Sequence, residues 1–280
     1  MKKPEQVQRS LVTTYKKRIW CKFTAALQEF DLIKDGDKNA VCISGGKDSF
    51  MLAVCFEQLK RHGKQNFDVK YLVMDPGYDS ESLKKTKQNL KLLGIDATIF
   101  TSTIYKDVFN MGKSACYMCA KMRRGHLYSY AKELGCNKIA LGHHFEDVIE
   151  TTLMSIFYNG RIQTMMPKLR AKNFEGMELI RPLYKVEESS IISFWNTNKV
   201  QFINCACLFE CGSTINAEQK WTDDSIGKRK EVKLLLQELK KKNSNIPINI
   251  YRSAQNVCLD TVLGWDKKGE KKSFLDDYDN

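Results

Sequence analysis

The sequence predicts an α/β fold: an open, mainly parallel sheet with helices on both faces, plus an N-terminal helix and a C-terminal helical extension. Three observations predict it. Short β-forming runs alternate with stretches of helical periodicity, the order that builds parallel sheets. The first of these runs ends in a glycine turn that opens straight into a helix, Ser44-Gly45-Gly46-Lys47-Asp48-Ser49. Finally, 280 residues of 42% hydrophobic content are enough for one substantial core or two modest ones.

Taken in order, Val7 to Phe30 reads as one amphipathic helix carrying Tyr15, Trp20 and Phe23. Ala40 to Ile43 is a short apolar strand. After the turn, Leu52, Cys55, Phe56 and Leu59 recur at helical spacing up to His62-Gly63. Val69 to Met74 is a second β-rich run, and after Pro76-Gly77 a polar helix spans Ser80 to Leu93, stopped by Gly94. Ala97 to Thr101 is a third strand. Leu127, Ala131 and Leu134 mark a helix ending at Gly135. Lys138 to Leu141 then reads as a strand, and Glu146 to Tyr158 as a helix closed by Asn159-Gly160. Met177 to Leu183 and a helix from Glu187 to Asn198 form another unit. Lys228 to Lys242 is a basic helix, and the last dozen residues are expected to fray. The implied division is a helical extension over 1–36, a nucleotide-loop domain with the clustered cysteines over 37–211, and a basic helical extension and tail over 212–280.

Lys and Arg total 45 against 33 Asp and Glu, a formal net charge of +12, concentrated in clusters such as Lys121 with Arg123-Arg124 and Lys228-Arg229-Lys230. Such an imbalance suits a polyanionic partner. No stretch approaches the roughly 18 apolar residues of a bilayer span, and the start leads into no apolar signal core. An intracellular, cytoplasmic protein without a membrane partner is therefore expected. In a reducing compartment the 10 cysteines read as thiols or metal ligands, not disulfides. Cys21, Cys42, Cys55, Cys136 and Cys258 sit among apolar neighbours and are expected to be buried.

The turn has the chemistry of an anion cradle. Gly45 and Gly46 allow backbone conformations in which consecutive amides face inward, Ser44 and Ser49 offer hydroxyls, Lys47 a point charge, and the following helix its positive end. Its position beyond a parallel strand is where such sheets bind ligands. The spacing is not that of a Walker loop. It resembles the S-G-G-x-D-S pyrophosphate loop of the PP-loop ATP pyrophosphatases, which cleave ATP between its α and β phosphates. That resemblance implies ATP as substrate, with Asp48 placing Mg2+ or the α-phosphate.

Cys116 and Cys119 form one C-x-x-C pair, and Cys205, Cys207 and Cys211 form an irregular second group. A closed zinc site would have to draft from that second group, and a redox pair remains open. Three thiolates with one open position favour an iron–sulfur cluster. Arg123 and Arg124, a helical turn past Cys119, can approach phosphates of ATP or RNA. His143 and His144, beside Gly142 at a strand end, read as pocket-lining or helix-capping groups.

Together, the S-G-G-K-D-S turn, C-x-x-C followed by Arg123-Arg124-Gly125, Ala140-Leu141-Gly142-His143-His144 with Asp147, Ile180-Arg181-Pro182-Leu183, Cys211-Gly212-Ser213 and Ser253-Ala254-Gln255-Asn256-Val257 resemble the tRNA 2-thiocytidine synthetase family across most of the chain. The resemblance implies a Rossmann-like PP-loop (HUP) fold and an ATP-dependent tRNA sulfurtransferase that adenylates a cytidine carbonyl at position 32 and replaces its oxygen with sulfur. It implies a 4Fe-4S cluster on Cys116, Cys119 and Cys211, the last because it alone precedes Gly-Ser. It also implies catalytic roles for Asp48, Arg123 and Asp147, and a nucleotide site of Ser44, Gly45, Gly46, Lys47, Asp48, Ser49 and Gly142. The partners it implies are tRNA and a sulfur donor such as a cysteine desulfurase, and it leaves a homodimer open. The N-terminal helix and the Lys228–Lys242 helix are candidates for the RNA backbone. Other readings stay in view: another PP-loop tRNA-modifying enzyme, either a thiouridine-forming thiolase or a ligase or amidase of the lysidine-synthetase type with a zinc-stabilised fold, and an RNA-binding or sulfur-carrier protein with a relic nucleotide loop.

Overall fold

The computed structural model describes residues 4–63, 65–75, 80–102, 115–202, 224–267, 269–276 and 278, with only the backbone course for 80, 115–120 and 224–226. At its centre lies strand β1 (Lys38–Ile43), flanked by β2 (Asp68–Asp75) and β4 (Lys138–Ala140). Outside β2 lies β3 (Ala97–Thr101). Outside β4 lie β6 (Glu178–Ile180) and then β5 (Lys168–Arg170), giving the order β3-β2-β1-β4-β6-β5. All pairings are parallel except β5 with β6. Because the chain winds outward from β1 in one direction and returns to place β4 on its other side, the strand order reverses between β1 and β4. That reversal opens a crevice at the carboxyl ends of those two strands.

Alternation along β1 divides the core. Val41 and Ile43 face a cluster completed by α3 (Lys47–His62) and α7 (Glu188–Asn198), whereas Ala40 and Cys42 face Tyr128 and Ala131 of α5 (Ala115–Glu133). Residues 39–43 are all buried, as expected of a strand covered on both faces. α4 (Ser80–Leu93) joins β2 to β3, and α6 (Phe145–Asn159) follows β4. α6 packs with α8 (Asp224–Lys242) and α9 (Ile246–Ser253) around Val148, Val232 and Tyr251.

The single helix expected from Val7 to Phe30 is interrupted: α1 (Pro4–Val12) and α2 (Cys21–Glu29) are separated by a π-helical turn, Lys16–Trp20, entered at Tyr15 with φ −102° and ψ 11°. The reason is in the apolar spacing. Val7, Leu11, Tyr15, Ile19, Phe23 and Leu27 recur every fourth residue, and all belong to the main core. In a helix of 3.6 residues per turn each such step overshoots by about 40°, so the stripe would spiral roughly 200° around the axis. Local widening returns it to one face, against α3 and α7.

Other expectations are also revised. β5 was not foreseen, because Lys-Leu-Arg has no apolar run, and its strand character comes from pairing with β6. Near the C-terminal end β7 (Gly264–Lys267) and β8 (Glu270–Ser273) form a hairpin, and β8 lies in the last dozen residues, where fraying was expected. The hairpin turn is closed by the Gly269 amide donating to Asp266 Oδ1 at 3.0 Å, with Gly269 at φ +90°. Cys42, Cys55 and Cys136 are buried, with thiol pKa values pushed up by burial, that of Cys42 to about 12. Cys21 and Cys258 are instead exposed. Cys21 falls on the outward side of α2, whose core stripe is Phe23, Ala26 and Leu27, and Cys258 lies in the surface segment after α9.

Candidate active site

The turn after β1 holds its shape through Ser49. The buried Ser49 hydroxyl donates to Gly46 O at 2.8 Å and accepts from the Ser44 amide at 3.1 Å and the Ser44 hydroxyl at 3.3 Å. Its one proton and both lone pairs are committed, so Ser49 shapes the loop. Gly45, at φ +89°, occupies the left-handed region that the turn requires. Across the switch point, a Cβ on Gly142 would lie 2.9 Å from the Asp48 carbonyl carbon and 3.0 Å from Ser49 N. Glycine there lets the end of β4 touch the start of α3. Gly142→Ala is expected to displace the loop and weaken ATP binding by about tenfold or more, with the far-ultraviolet spectrum unchanged. An unaltered Kd in titration calorimetry would mean that the contact gives way freely.

Beside this loop is a cavity of about 450 Å3. One wall is Ser44, Gly46, Asp48 and Ser49; another is Gly142, His143 and Asp147; α5 contributes Arg123, Arg124 and Leu127. Met74, Ile139 and Leu141 give it an apolar side. The mixture of a polar loop, two guanidinium groups and an apolar side is what a nucleotide needs.

Asp48 is the carboxylate at the mouth of the loop. Its Oδ2 takes Lys47 Nζ at 3.0 Å, while its Oδ1 is buried without a hydrogen-bonding partner. Burial raises its pKa, against the opposing fields of His144 and Lys47. A buried, half-satisfied carboxylate oxygen fits a hard divalent cation such as Mg2+. Lys47 does not line the cavity. Its ammonium bonds Asp48 and Glu188 Oε1, each at 3.0 Å, and Glu188 in turn takes Lys233 of α8 at 2.8 Å. Although burial opposes it, these two ammonium groups depress the Glu188 pKa to about 2.

Asp147 caps α6: its Oδ2 accepts the His144 amide at 2.9 Å, and its Oδ1 takes Arg229 Nη2 at 2.6 Å. Arg229 also bonds Glu150 at 3.0 Å. Despite burial, the charges of His144 and Arg229 hold the Asp147 carboxyl below its ordinary pKa. Burial pushes the neighbouring His143 down to about 4, so its ring is neutral at pH 7. Its Nδ1 accepts from Arg181 Nε at 3.3 Å, which leaves the proton on Nε2. His144 behaves oppositely: burial works against its charge, but Glu146, Asp147 and Asp48 raise its pKa.

The structure thus brings Ser44, Gly46, Asp48, Ser49, Arg123, Gly142 and Asp147 around one cavity, with Gly45 in the turn behind it and Lys47 turned toward α7. Cys116 and Cys119 occupy the start of α5, two turns and one turn ahead of Arg123. Cys205, Cys207 and Cys211 lie outside the described residues, as does 76–79. Among the described residues no group of three His, Cys, Asp or Glu is gathered to hold a metal. Sequence reasoning did not place Glu188, Arg181 or Arg229 at the site. Arg181 carried a signal inside the Ile-Arg-Pro-Leu run, Arg229 stood in a basic cluster assigned to RNA, and Glu188 carried none. The basic helix α8 starts at Asp224, earlier than Lys228, and Arg229 and Lys233 bind carboxylates of α6 and α7, where RNA contact was expected.

Residues 15–207 match the PP-loop domain family. The tRNA-cytidine(32) 2-sulfurtransferase of Coxiella burnetii is 38% identical over 235 residues, covering 83% of this chain and 86% of that protein. The tRNA-cytidine(32) 2-sulfurtransferase 1 of Francisella philomiragia is 38% identical over 240 residues, covering 84% and 87%. Among solved structures, the U34-tRNA thiolase NcsA from Methanococcus maripaludis with its 4Fe-4S cluster superposes with a TM-score of 0.65 at 18% identity over 87% of this chain and 82% of that one, a likeness of fold. A switch-point cavity built on an S-G-G-K-D-S turn, together with relatives matched over most of their length, places this chain in the tRNA-cytidine(32) 2-sulfurtransferase family of PP-loop proteins.

Proposed function

We propose that this chain is an ATP-dependent tRNA sulfurtransferase that replaces the C2 oxygen of cytidine 32 with sulfur. The observation that carries the reading is the shared cavity: the loop forms one wall, and α5, which begins with Cys116 and Cys119, forms another through Arg123, Arg124 and Leu127. Nucleotide activation and sulfur delivery both require access to one base, and a helix that carries the cysteine pair at its start and lines the cavity one to two turns later supports that reading.

The reaction has two displacements. The C2 carbonyl oxygen attacks the α-phosphorus of ATP, and pyrophosphate leaves. A sulfide then attacks C2, and the oxygen departs with AMP. Gly45 and the first turn of α3 direct amides at the phosphates, and Arg123 and Arg124 offset charge on the pyrophosphate. Asp48 would hold Mg2+ through its unpartnered Oδ1. Asp147 holds the entrance of α6 and Arg229, which fixes His143 and His144 beside the loop. Thiolates suit an iron–sulfur cluster, and Cys116 and Cys119 with Cys211 would hold it; when bound, the cluster supplies an iron position for sulfide. Sulfur would come from a donor such as a cysteine desulfurase. The net charge of +12 suits tRNA, whose unpaired loop nucleotide alone can present its carbonyl edge inside a pocket.

The reading is tested by nucleoside mass spectrometry of tRNA from a strain lacking the gene. The expected result is loss of 2-thiocytidine, restored by the wild-type chain. Persistence of 2-thiocytidine, or loss of a thiouridine in its place, would overturn the substrate.

A further inference from the structure

A second cavity, of about 350 Å3, lies where the end of α8 and the start of α9 meet the entrances of α6 and α7. Its floor is apolar: the edges of Phe145 and Tyr251, buried rings whose centroids lie 5.4 Å apart at 44° to each other, and Ile248 beside them. Its rim carries Lys22, Lys185 and Lys240. Lys22 bonds Glu187 at 2.6 Å, Lys240 lies 3.8 Å from the same carboxylate, and Lys185 pairs with Glu29. Three ammonium groups therefore face two carboxylates, and Arg18 is close enough to act on Glu187 as well. The rim therefore stays net positive.

The location matters as much as the lining. Phe145 directly follows His144, and Glu187 directly precedes Glu188, the residue that holds Lys47. The second cavity thus stands beside the active cavity at the same carboxyl edge of the sheet, with the entrances of α6 and α7 between them. An aromatic floor under a cationic rim is the chemistry that takes a planar base and its flanking phosphates.

We propose that this cavity docks an unpaired nucleotide of the RNA substrate other than the one that reacts, its base inserted in the slot edged by Phe145, Ile248 and Tyr251 and its phosphates toward Lys22, Lys185 and Lys240. The proposal rests on the reading of tRNA as substrate. It assigns α9 a part in RNA recognition and gives the lysine at the end of α8 a contact that α8's docked residues cannot make.

The test uses the full chain and an in vitro transcribed tRNA, with ATP binding measured in parallel. Ile248→Trp fills the cavity without changing charge. It is expected to raise the Kd for tRNA about tenfold, the scale of one lost base-stacking contact, with the slope of log Kd against log salt and the Kd for ATP both unchanged. Lys240→Glu on the rim keeps the test open should the filled variant not fold: it is expected to weaken tRNA binding and flatten the salt slope by about one phosphate contact, whereas Lys87→Glu on α4, toward the opposite edge of the sheet, changes neither. A wild-type Kd for tRNA in Ile248→Trp, or equal effects of the two lysine reversals, overturns the pocket alone, including in favour of an acidic protein as its occupant. A wild-type chain that binds ATP but no tRNA overturns the underlying reading as well.

Discussion

Cys116→Ala is expected to abolish iron–sulfur absorbance and tRNA thiolation together, while the Kd for ATP stays within about twofold. The physical ground is separation along one helix. Cys116 stands at the start of α5, two turns before Arg123, and the phosphate loop is built from the opposite wall by Ser44, Gly45, Gly46 and Ser49. Losing one thiolate from the proposed three-thiolate set leaves a cluster without enough ligands to persist, whereas the hydrogen bonds that shape the loop run among Ser44, Gly46 and Ser49. The measurement is anaerobic reconstitution followed by absorbance, iron and acid-labile sulfide analysis, with ATP titration on the same sample. Unchanged colour would remove Cys116 from the ligand set. Loss of ATP binding along with the colour would mean that the two halves of the site are not separable.

Asp48→Asn should cut ATP-dependent pyrophosphate release about 10²–10³-fold, the usual cost of removing one electrostatic contact in a phosphoryl-type transition state, without lowering Tm. Burial raises the Asp48 pKa, so the folded chain binds that proton more tightly than the unfolded one does. A carboxylate with a raised pKa opposes folding at pH values above its ordinary range. Asparagine keeps the shape and the acceptor for Lys47 while removing an ionised oxygen that has no partner of its own. Activity should therefore fall while stability holds or rises, the signature of a group retained for chemistry. Thermal unfolding and pyrophosphate release measured on one preparation decide it. A variant within threefold of wild type in rate, or one with a clearly lower Tm, would sink the assignment.

Most of the sheet was legible because burial leaves a local trace. The buried run Asn39 to Ile43 and the alternation of Ala40 and Cys42 against Val41 and Ile43 follow from a strand covered on both faces. The Ser-Gly-Gly-Lys-Asp-Ser turn was legible for a similar reason: a left-handed glycine and a helix start leave few residue choices. The N-terminal helix was misread because its apolar positions were counted as helical when their true period was four, and a π-helical turn absorbs the difference. β5 was invisible because an edge strand of Lys-Leu-Arg is made by its partner.

From the order of its apolar runs and turns, the sequence by itself determined the layered sheet, the anion-binding turn and the place where that turn opens. The tertiary structure alone decided which charges are occupied: Lys47 with Glu188 and Lys233, Asp147 with Arg229, and Asp48 left with one oxygen unsatisfied. Periodicity is a property of neighbours along the chain, whereas an ion pair depends on a few ångströms between elements brought together only when the core closes, so a motif can name the acids and bases of a site without saying which of them remain free to act.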